Sequence, residues 1–381
     1  MAASVIGKCD AEGMDPVVRP EVHDTYWRFA AKRQKLFEVR VREELGPWSE
    51  DRILSTFKFC NTFRAADRVS QYLIREVIYG PEGEGLDPED AFLRIVLFRL
   101  FSKEATWEAL EEATGGLRRS TLEVETLGDL LEDLRTRQPI YTAAFILAAP
   151  SSYGYKAKHR NHLALVADMF RSGGLGGRLG RAGSLAEVYE ALTEYPMIGP
   201  FLGYQIAIDL NYSDHLDFDE NEFTMPGPGA LRGIAKVFSD DGGKTAQELI
   251  MRMVERQEAE FDRLGLEFGG LFERPLHAID CQGLFCETDK YSREAFPSLK
   301  SSRVRIKQEF RPKTEPLDPF FPPKWGLNER VAAVIGERNR NRTDPPRPRV
   351  AEDQLELGGG EIGLHPVESE SSAELAASSS H

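Results

Sequence analysis

Residues 194–210, EYPMIGPFLGYQIAIDL, decide the fold, because their turn residues and apolar spacing describe two helices joined by a tight turn. The first helix is predicted to end before Pro196. Its apolar residues, at i, i+3 and i+7, are Leu185, Val188 and Leu192. Gly199 is predicted to take a positive φ in the turn, and Pro200 is predicted to open the second helix. This pattern describes a helix-hairpin-helix, but a Pro/Gly turn between two helices of any all-α protein remains an alternative.

The first turn of the second helix is predicted to bind phosphate. Pro200 has no N–H, and the amides of Phe201, Leu202 and Gly203 are expected to point outward at the positive end of the helix dipole. Such donors suit one phosphate oxygen. Gly199, Phe201, Leu202 and Gly203 are therefore predicted to contact the DNA backbone.

The composition is that of a globular protein. Of the 381 residues, 41% are hydrophobic and 10% aromatic, and no apolar run reaches the roughly 18 residues of a membrane span. The first 15 residues, MAASVIGKCDAEGMD, lack a basic region followed by an apolar one. We expect an intracellular protein with no membrane association, nuclear if the source is eukaryotic.

The cysteines do not form paired CxxC units: they are Cys9, Cys60, Cys281 and Cys286. Free thiols in a reducing compartment are expected. The histidines are scattered, so zinc is disfavoured and no metal ligand is assigned. The sequence identifies no cofactor.

The formal net charge of −14 is unevenly distributed. Seven acidic residues and no basic ones follow Val350, whereas residues 303–349 contain twelve basic residues and six acidic ones. This basic stretch is expected either to reach phosphates or to be a solvated linker, and the linker is favoured beyond Arg338. Three regions are predicted: a flexible N-terminus (1–20), a helical domain (21–335) and a disordered tail that is first basic and then acidic (336–381).

The chain is predicted to be all-α. Helices are expected at 25–45, 53–79, 89–101, 102–113, 127–134, 230–238, 244–264 and 278–291. Segment 89–101 is apolar on nearly all sides, as a central buried helix would be. Residues 320–325, FFPPKW, are expected to form an extended arm held by its aromatic side chains.

Segment 53–79 interleaves polar residues with an apolar stripe. The stripe consists of Phe59, Phe63, Ala66, Val69 and Leu73. The polar residues are Lys58, Asn61, Arg64, Asp67, Arg68 and Gln71. They are expected either to face solvent or to line a cleft.

Aromatic and basic residues also meet at residues 153–160, YGYKAKHR. Tyr155, Lys156 and Lys158 are predicted to contact DNA, because aromatic faces beside positive charge suit a flipped base and its phosphate. An exposed basic helix start is the alternative. By contrast, residues 243–245, GKT, do not complete a phosphate loop, since the required first glycine falls at Phe238. The chain is therefore not expected to be a kinase by itself.

Three segments resemble the helix-hairpin-helix DNA glycosylase superfamily: YGYKAKHRNHL, YPMIGPFLGYQIAIDL and FTMPGPGALRGI. The resemblance implies a glycosylase-like helical domain. It places Pro228 where that superfamily has a catalytic aspartate, and Phe201 where its bifunctional members have a lysine nucleophile. The cysteine loop of the iron–sulfur members is missing. These departures weigh against base excision.

A closer resemblance extends over residues 26–327. It is carried by FCNTFRAADRVSQYLIREVIY, YPMIGPFLGYQIAIDLNY, FTMPGPGALRGI, IDCQGLFCETDKY, RIKQEF and FPPKWG. These segments resemble the helical domain of the 5-hydroxymethyl-deoxyuridine (5-hmdU) DNA kinases, a group of DNA base hypermodification proteins related to thymine pyrophosphorylases. The resemblance implies DNA with a modified pyrimidine as partner, and a separate kinase or base-oxidising enzyme as a second one.

A base pocket calls for polar groups that converge on rigid elements. Four residues are assigned as catalytic: Asp67, Gln71, Asp280 and Gln282. Asp67 and Gln71, at i and i+4, are predicted to face Asp280 or Gln282 across one cleft, with Tyr153 or Tyr155 at its mouth. The sites predicted to bind DNA beside this cleft are Arg64 and Arg68. A buried network that only ties two helices together is the alternative.

Three functions follow from these patterns. The chain is an enzyme that acts on the 5-substituent of a pyrimidine in DNA, or a non-catalytic DNA-binding module that positions a separate modifying enzyme. A DNA glycosylase with a displaced catalytic carboxylate is the third and weakest alternative.

Overall fold

The computed structural model describes residues 14–43, 48–142, 151–172, 174–299, 302–311 and 317–343. Residues 1–13 and 344–381, most of the two predicted terminal regions, lie outside the described residues. The fold is mostly helical, which confirms the all-α prediction. None of the helices in the described ranges is long and apolar enough to cross a membrane.

The α-helices are α1 (Pro20–Val41), α2 (Arg52–Thr56), α3 (Arg68–Tyr72), α4 (Pro88–Phe101), α5 (Glu104–Thr114), α6 (Val124–Arg137), α7 (Lys158–Met169), α8 (Leu175–Leu179), α9 (Leu185–Thr193), α10 (Pro200–Leu210), α11 (Pro228–Val237), α12 (Ala246–Arg263), α13 (Ala278–Ala295) and α14 (Asn328–Thr343). The strands β1 (Val17–Val18) and β2 (Phe238–Asp240) pair antiparallel. The described residues up to Asn339 belong to one compact unit.

Helix α4 is central and buried on all sides, as its sequence predicts. Every residue from 90 to 101 is buried. The helix begins after Asp87, whose Oδ1 accepts from the amides of Glu89 and Asp90 at 3.0 and 3.3 Å. It ends at Ser102, which has a left-handed φ of 48°.

Helix α13 is the second buried helix, and it packs against α1, α11 and α12. Its approach to α11 depends on Gly233, because a Cβ there would lie 1.9 Å from the carbonyl oxygen of Phe285. The hydroxyl of Tyr26 in α1 donates to the carbonyl of Cys281 at 3.1 Å. These close contacts make α13 the rigid element on which the candidate site is built.

Helices α9 and α10 form the predicted helix pair, but the turn differs from the prediction. Gly199 is the N-cap of α10 with φ −77°, so the prediction of a positive φ there is wrong. Met197 takes the left-handed conformation instead, with φ 72°. The turn therefore reverses direction two residues earlier, and Gly199 is already extended when Pro200 starts the helix.

Segment 53–79 is not one helix, so that prediction is wrong. Helix α2 ends at Thr56, a loop follows, and a 3-10 turn (Arg64–Ala66) leads into α3 and a π-helical turn (Leu73–Ile78). Side chains interrupt the helix because they bind backbone groups that a helix would use. Oδ1 of Asp67 accepts from the amide of Asn61 at 2.7 Å, and the hydroxyl of Thr62 donates to the carbonyl of Ala30 at 2.8 Å.

The predicted arm at 320–325 ends in a 3-10 turn (Pro323–Trp325) and is held by several contacts. Phe321 is buried, and Nζ of Lys324 donates to the carbonyls of Asn211 and Ser213 at 2.7 and 3.0 Å. The lysine thus satisfies carbonyls just beyond the end of α10. The boundaries of the predicted domain, 21 and 335, stay predictions; β1 precedes the first, and α14 continues past the second.

Candidate functional site

Helix α13 is mostly buried, and one face of it is partly exposed. Gly283, Cys286 and Lys290 are partly exposed, whereas residues 284, 285 and 287–289 are buried. The three positions follow i, i+3 and i+7, so they lie on one face of the helix. A Cβ built at Gly283 meets no atom within 4 Å, so the space above it is open. We call this partly exposed face, with the open space above Gly283, the α13 cleft.

The loop after α2 forms one side of the α13 cleft. The amide of Cys60 donates to Oε2 of Glu287 at 3.1 Å. Nζ of Lys290 lies 3.3 Å from the same oxygen and 4.6 Å from the centroid of the Phe59 ring. These contacts hold the loop against α13 while Cys60 stays exposed to solvent.

The N-termini of α10 and α11 form the other side. A Cβ at Gly227, the N-cap of α11, would lie 2.5 Å from the Phe201 ring and 3.4 Å from Nε2 of Gln282. A Cβ at Gly229 would lie 2.3 Å from Sγ of Cys286. Glycine at both positions lets the two helix starts and α13 approach closely. The positive ends of two helix dipoles therefore lie beside the α13 cleft.

Gln282 lies where these elements meet. The residue is 5% exposed. Its carboxamide makes no hydrogen bond within the described residues, and neither of its polar atoms is among the fully buried ones that lack a partner, so the carboxamide reaches solvent. An accessible carboxamide beside an aromatic ring and two helix starts is arranged as a ligand-binding group would be.

Asp280 is held by backbone donors. Its Oδ1 accepts from the amide of Arg64 at 2.9 Å, and its Oδ2 accepts from the amide of His277 at 3.1 Å. Burial raises the pKa of Asp280 to about 7, against the opposing effect of the Arg64 amide. Both carboxylate oxygens are therefore engaged in joining the Arg64 loop to the first turn of α13.

Asp67 is more accessible than Asp280. Burial raises the pKa of Asp67 to about 6, while the hydrogen bond from Asn61 and the charge of Arg33 act in the opposite direction. The charge of Glu287 adds to the rise in this pKa. The hydrogen bond from the amide of Asn61, the residue after Cys60, places Asp67 on the Cys60 side of the α13 cleft. A partly exposed carboxyl with this pKa can exchange a proton near neutral pH.

The two thiols at the cleft are poorly suited as nucleophiles. The charges of Asp67 and Glu287 raise the pKa of Cys60 well above its usual value, and burial raises the pKa of Cys286 to about 12. The thiolate is the reactive form, and it is disfavoured at both positions. Within the described ranges, no group of three His, Cys, Asp or Glu side chains is arranged to hold a metal ion.

Arg64 links this site to the hairpin. Its Nη2 lies 2.7 Å from Oδ1 of Asp209, its Nε donates to Oε1 of Gln205 at 3.0 Å, and its Nη1 donates to the hydroxyl of Tyr212 at 3.0 Å. Arg99 of α4 binds the same aspartate, with its Nη2 3.0 Å from Oδ1. One buried carboxylate of α10 thus connects the central helix with the loop that holds Asp280.

Comparison with known proteins identifies a family whose model matches this helical unit. Residues 20–301 match the model of a family described as "5-hmdU DNA kinase, helical domain". The chain belongs to this family. It is also 28% identical over 331 residues to the 5-hmdU DNA kinase of Bacillus phage SP10, a match that covers 78% of this chain and 50% of the phage protein. The chain thus spans about half the length of that relative, and no solved structure matches it.

In this member of the 5-hmdU DNA kinase helical-domain family, several predicted site residues lie together. Asp280, Gln282 and Phe201 lie around the start of α13, and the backbone of Arg64 joins them through Asp280. The Arg64 side chain points to Asp209 rather than toward the open cleft. Asp67 follows on the same loop. The relation of this family to the glycosylase superfamily, and DNA binding by the hairpin, stay predictions.

Other predicted site residues have partners elsewhere. Gln71 does not face α13: its Nε2 donates to the carbonyls of Ala65 and Phe320, and its Oε1 accepts from the Phe320 amide at 2.9 Å. Arg68 pairs with Glu104 on α5 at 2.9 Å. The cause is the broken helix, since Asp67 precedes α3 and does not share a helical face with Gln71.

The predicted aromatic and basic cluster belongs to α6 and α7. The hydroxyl of Tyr155 donates to Glu125, that of Tyr153 donates to Asp168, and Nζ of Lys158 lies 4.4 Å from the Tyr141 ring centroid. Lys156 is exposed. Within the described residues, no hydrogen bond or ring contact brings Tyr153 or Tyr155 to the α13 cleft, so the predicted placement at its mouth is not observed.

The hairpin residues divide into two roles. The amide of Gly203 donates to the carbonyl of Gly199 at 2.9 Å, so the prediction that it is free for phosphate is wrong. Gly203 serves packing instead, because a Cβ there would lie 2.6 Å from Cγ2 of Thr193. Leu202 is buried. Gly199 faces open space, since a Cβ there meets nothing within 4 Å.

The three residues that define the α13 cleft were not among the predicted site residues: Gly283, Cys286 and Lys290. Their signal was the spacing of small or polar residues at 283, 286 and 290 within an apolar helix. The spacing alone does not show whether another element covers this face of α13, because the elements that pack around it come from distant parts of the sequence.

Proposed function

We propose that this chain binds DNA and takes a 5-substituted pyrimidine of the hydroxymethyl type, turned out of the helix, into the α13 cleft. The observation that carries the proposal is the carboxamide of Gln282, which makes no hydrogen bond within the described residues, reaches solvent and lies beside Phe201. Membership in the 5-hmdU DNA kinase helical-domain family supports the choice of DNA and of the base.

The chemistry of Gln282 matches the polar edge of a pyrimidine. A carboxamide offers a donor and an acceptor side by side, and a pyrimidine edge presents complementary groups next to each other. Phe201 supplies an aromatic face for a base that has left its stack. The open space above Gly283 accommodates the ring, and the nearby helix starts provide donors for exocyclic oxygens.

If the chain is catalytic, Asp67 is the group that exchanges a proton with the 5-substituent. Its raised pKa and partial exposure suit that role. Asp280 and Gln71 act as positioning residues, because their side chains are engaged by backbone groups.

A non-catalytic module that positions a separate kinase or base-oxidising enzyme is the second candidate. Both oxygens of Asp280 accept hydrogen bonds from backbone amides, so this carboxylate is less suited to transfer a proton. The site then has more groups that can recognise a base than groups that can transfer a proton, which favours the non-catalytic module. Mass spectrometry of nucleosides separates the two candidates. DNA containing 5-hydroxymethyluracil is incubated with the protein, with and without nucleoside triphosphate. A new nucleoside identifies an enzyme, its absence with selective binding identifies the module, and a released base identifies a glycosylase.

The base pocket itself is tested by filling the cleft. Gly283→Leu places a side chain in the open space, and because leucine replaces glycine within a helix, the unfolding free energy is expected to rise by up to about 1 kcal/mol. Fluorescence anisotropy then compares duplexes that carry one 5-hydroxymethyluracil or one thymine.

We expect the wild type to prefer the modified duplex and Gly283→Leu to lose that preference while it still binds DNA. Gly283→Ala is the matched control, because it gives a similar gain in helix propensity with far less filling. Equal affinity of the wild type for both duplexes would sink the proposed pocket.

A further inference from the structure

In residues 303–311, RVRIKQEFR, charged residues alternate with uncharged, mostly apolar ones. In an extended chain, alternate side chains point to opposite sides. One side therefore carries Arg303, Arg305, Lys307, Glu309 and Arg311, and the other carries Val304, Ile306, Gln308 and Phe310. On the second side Ile306 and Phe310 are half-buried while Val304 and Gln308 are exposed, and on the first side every basic residue is exposed.

This segment lies along the loop that borders the α13 cleft. The amide of Lys58 donates to the carbonyl of Gln308 at 3.0 Å, and the amide of Phe310 donates to the carbonyl of Thr56 at 2.9 Å. Phe57 and Glu309 form an antiparallel bridge. Cys60, two residues beyond Lys58, already contacts Glu287 in the cleft. The basic row is thus tied by backbone hydrogen bonds to the rim of the cleft.

The second attachment is at the far end of α13. Nη1 of Arg293 donates to the carbonyl of Arg305 at 3.2 Å, while Arg293 itself is fixed to Asp289 at 2.7 Å. The segment therefore has a defined course past the C-terminal half of α13. Its backbone is held at both attachments, and its basic side chains are exposed.

Three basic side chains of this row, and Lys58 beside it, form no ion pair within the described residues. The three are Arg305, Lys307 and Arg311. Many other surface arginines are paired, for example Arg178 with Glu194 at 2.7 Å. Unpaired cations in a row are unusual for a chain with a net charge of −14. A polyanion is the partner that this row complements.

The geometry also suits a polyanion of regular spacing. Alternate residues of an extended chain are about 6.6 Å apart. Successive phosphates along one DNA strand are separated by a comparable distance, so neighbouring basic side chains can meet neighbouring phosphates.

We infer that residues 303–311, with Lys58, form a track for the phosphate backbone of the DNA strand whose base enters the α13 cleft. This inference rests on the proposed function for the identity of its partner. Beyond the base pocket, this track holds the DNA strand by its phosphates. Such contacts increase the affinity for DNA and do not distinguish one base from another.

The test removes three charges from the track with Arg305→Gln, Lys307→Gln and Arg311→Gln in the full chain. The matched control removes three exposed charges elsewhere with Arg135→Gln, Arg137→Gln and Arg171→Gln, whose side chains are 59%, 64% and 69% exposed. Both variants change the net charge equally. Anisotropy is measured on the 5-hydroxymethyluracil and thymine duplexes over a range of salt concentrations.

We expect the track variant to lose at least tenfold in affinity for both duplexes and to keep the wild-type ratio between them. The slope of log affinity against log salt should decrease in magnitude by about 0.9 for each phosphate that the variant no longer neutralises. The control variant should stay within about twofold of the wild type. Melting curves of both variants should match the wild type, because all the changed side chains are exposed.

The track is refuted if the track variant has the same affinity and the same salt slope as the control variant. If the wild type binds both duplexes equally but the track variant loses affinity, the track stands and the base pocket falls. If the wild type prefers the modified duplex and the track variant binds as tightly, the pocket stands and the track falls. If the wild type does not bind DNA, both the track and the base pocket are refuted.

Discussion

The amide of Arg64 donates to Oδ1 of Asp280 at 2.9 Å, which fastens the loop before α3 to the first turn of α13. The same carboxylate accepts from His277 through Oδ2. Together with the bonds of the Arg64 side chain to α10, this contact fixes the loop to the first turn of α13.

Asp280→Asn should lower the unfolding free energy by about 1–3 kcal/mol, because asparagine has one acceptor oxygen and leaves one buried amide unpaired. Urea denaturation measures this loss. Asp87→Asn is the control: Oδ1 of Asp87 accepts both amides at the start of α4, and asparagine caps equally well. The pair of Asp87 with Arg119 is partly exposed, and Arg119 keeps Asp90 as a partner. Equal losses in the two variants would contradict the special role of Asp280.

The pH dependence of stability follows from two raised carboxyl pKa values, about 7 for Asp280 and about 6 for Asp67, against 3.8 for an unperturbed aspartate. Between the unperturbed and the raised values, the folded state binds protons that the unfolded state has released. The contribution of both groups to stability is therefore fully present below about pH 4 and is lost as the pH rises to 7. Melting temperatures from pH 4 to 8 should show a smaller decline in Asp67→Asn than in the wild type. An unchanged profile would show that Asp67 does not titrate in this range.

Asp209→Asn should destabilise the protein by about 3–5 kcal/mol, since it leaves the buried guanidinium groups of Arg64 and Arg99 without their carboxylate. Glu104→Gln, which breaks the exposed pair with Arg68, should cost less than about 1 kcal/mol. Thermal melting of both variants makes the comparison. A small effect of Asp209→Asn would mean that Arg64 is held by Gln205 and Tyr212 alone.

The sequence predicts helices better than it predicts where they break. The apolar residues of segment 53–79 keep helical spacing, and Phe63 and Leu73 are buried as expected. The break results from side-chain hydrogen bonds of Asn61, Thr62 and Asp67 to groups outside the segment or across the loop. Hydrophobic periodicity reports which residues are buried, and it is insensitive to such bonds.

For the same reason, the sequence predicts the surroundings of the candidate residues only in part. Gln282 was predicted from its polarity in an apolar helix, which the sequence shows directly. Its surroundings depend on Gly227 and Gly229, which bring α11 close to Phe201 and Cys286. Close approaches of this kind join residues far apart in sequence, so no local pattern reveals them.

Gly199→Val and Gly203→Val should separate DNA binding from packing in the hairpin. Gly199 has φ −77° and open space around its Cβ position, so valine should fit at a cost within about 1 kcal/mol, and its branched side chain should block access to the first turn of α10. Affinity for all DNA sequences should fall alike. Gly203→Val should lower the melting temperature, because its side chain collides with Thr193 and Tyr189. Unchanged affinity of folded Gly199→Val in an anisotropy titration would refute phosphate binding there.

Gln282→Met gives the sharpest test of the unpaired carboxamide, because methionine has a similar volume and no polar group to satisfy. Its unfolding free energy should stay close to that of the wild type, since the change removes no hydrogen bond within the described residues. Gln205→Met is the matched control: Gln205 is similarly buried but accepts from Nε of Arg64 at 3.0 Å, so this variant should lose about 1–3 kcal/mol. Gln282→Met should also lose the preference for 5-hydroxymethyluracil in the anisotropy comparison, while its affinity for the thymine duplex stays close to that of the wild type. A loss of stability as large as that of Gln205→Met, with the preference intact, would show that Gln282 has a structural partner and does not read the base.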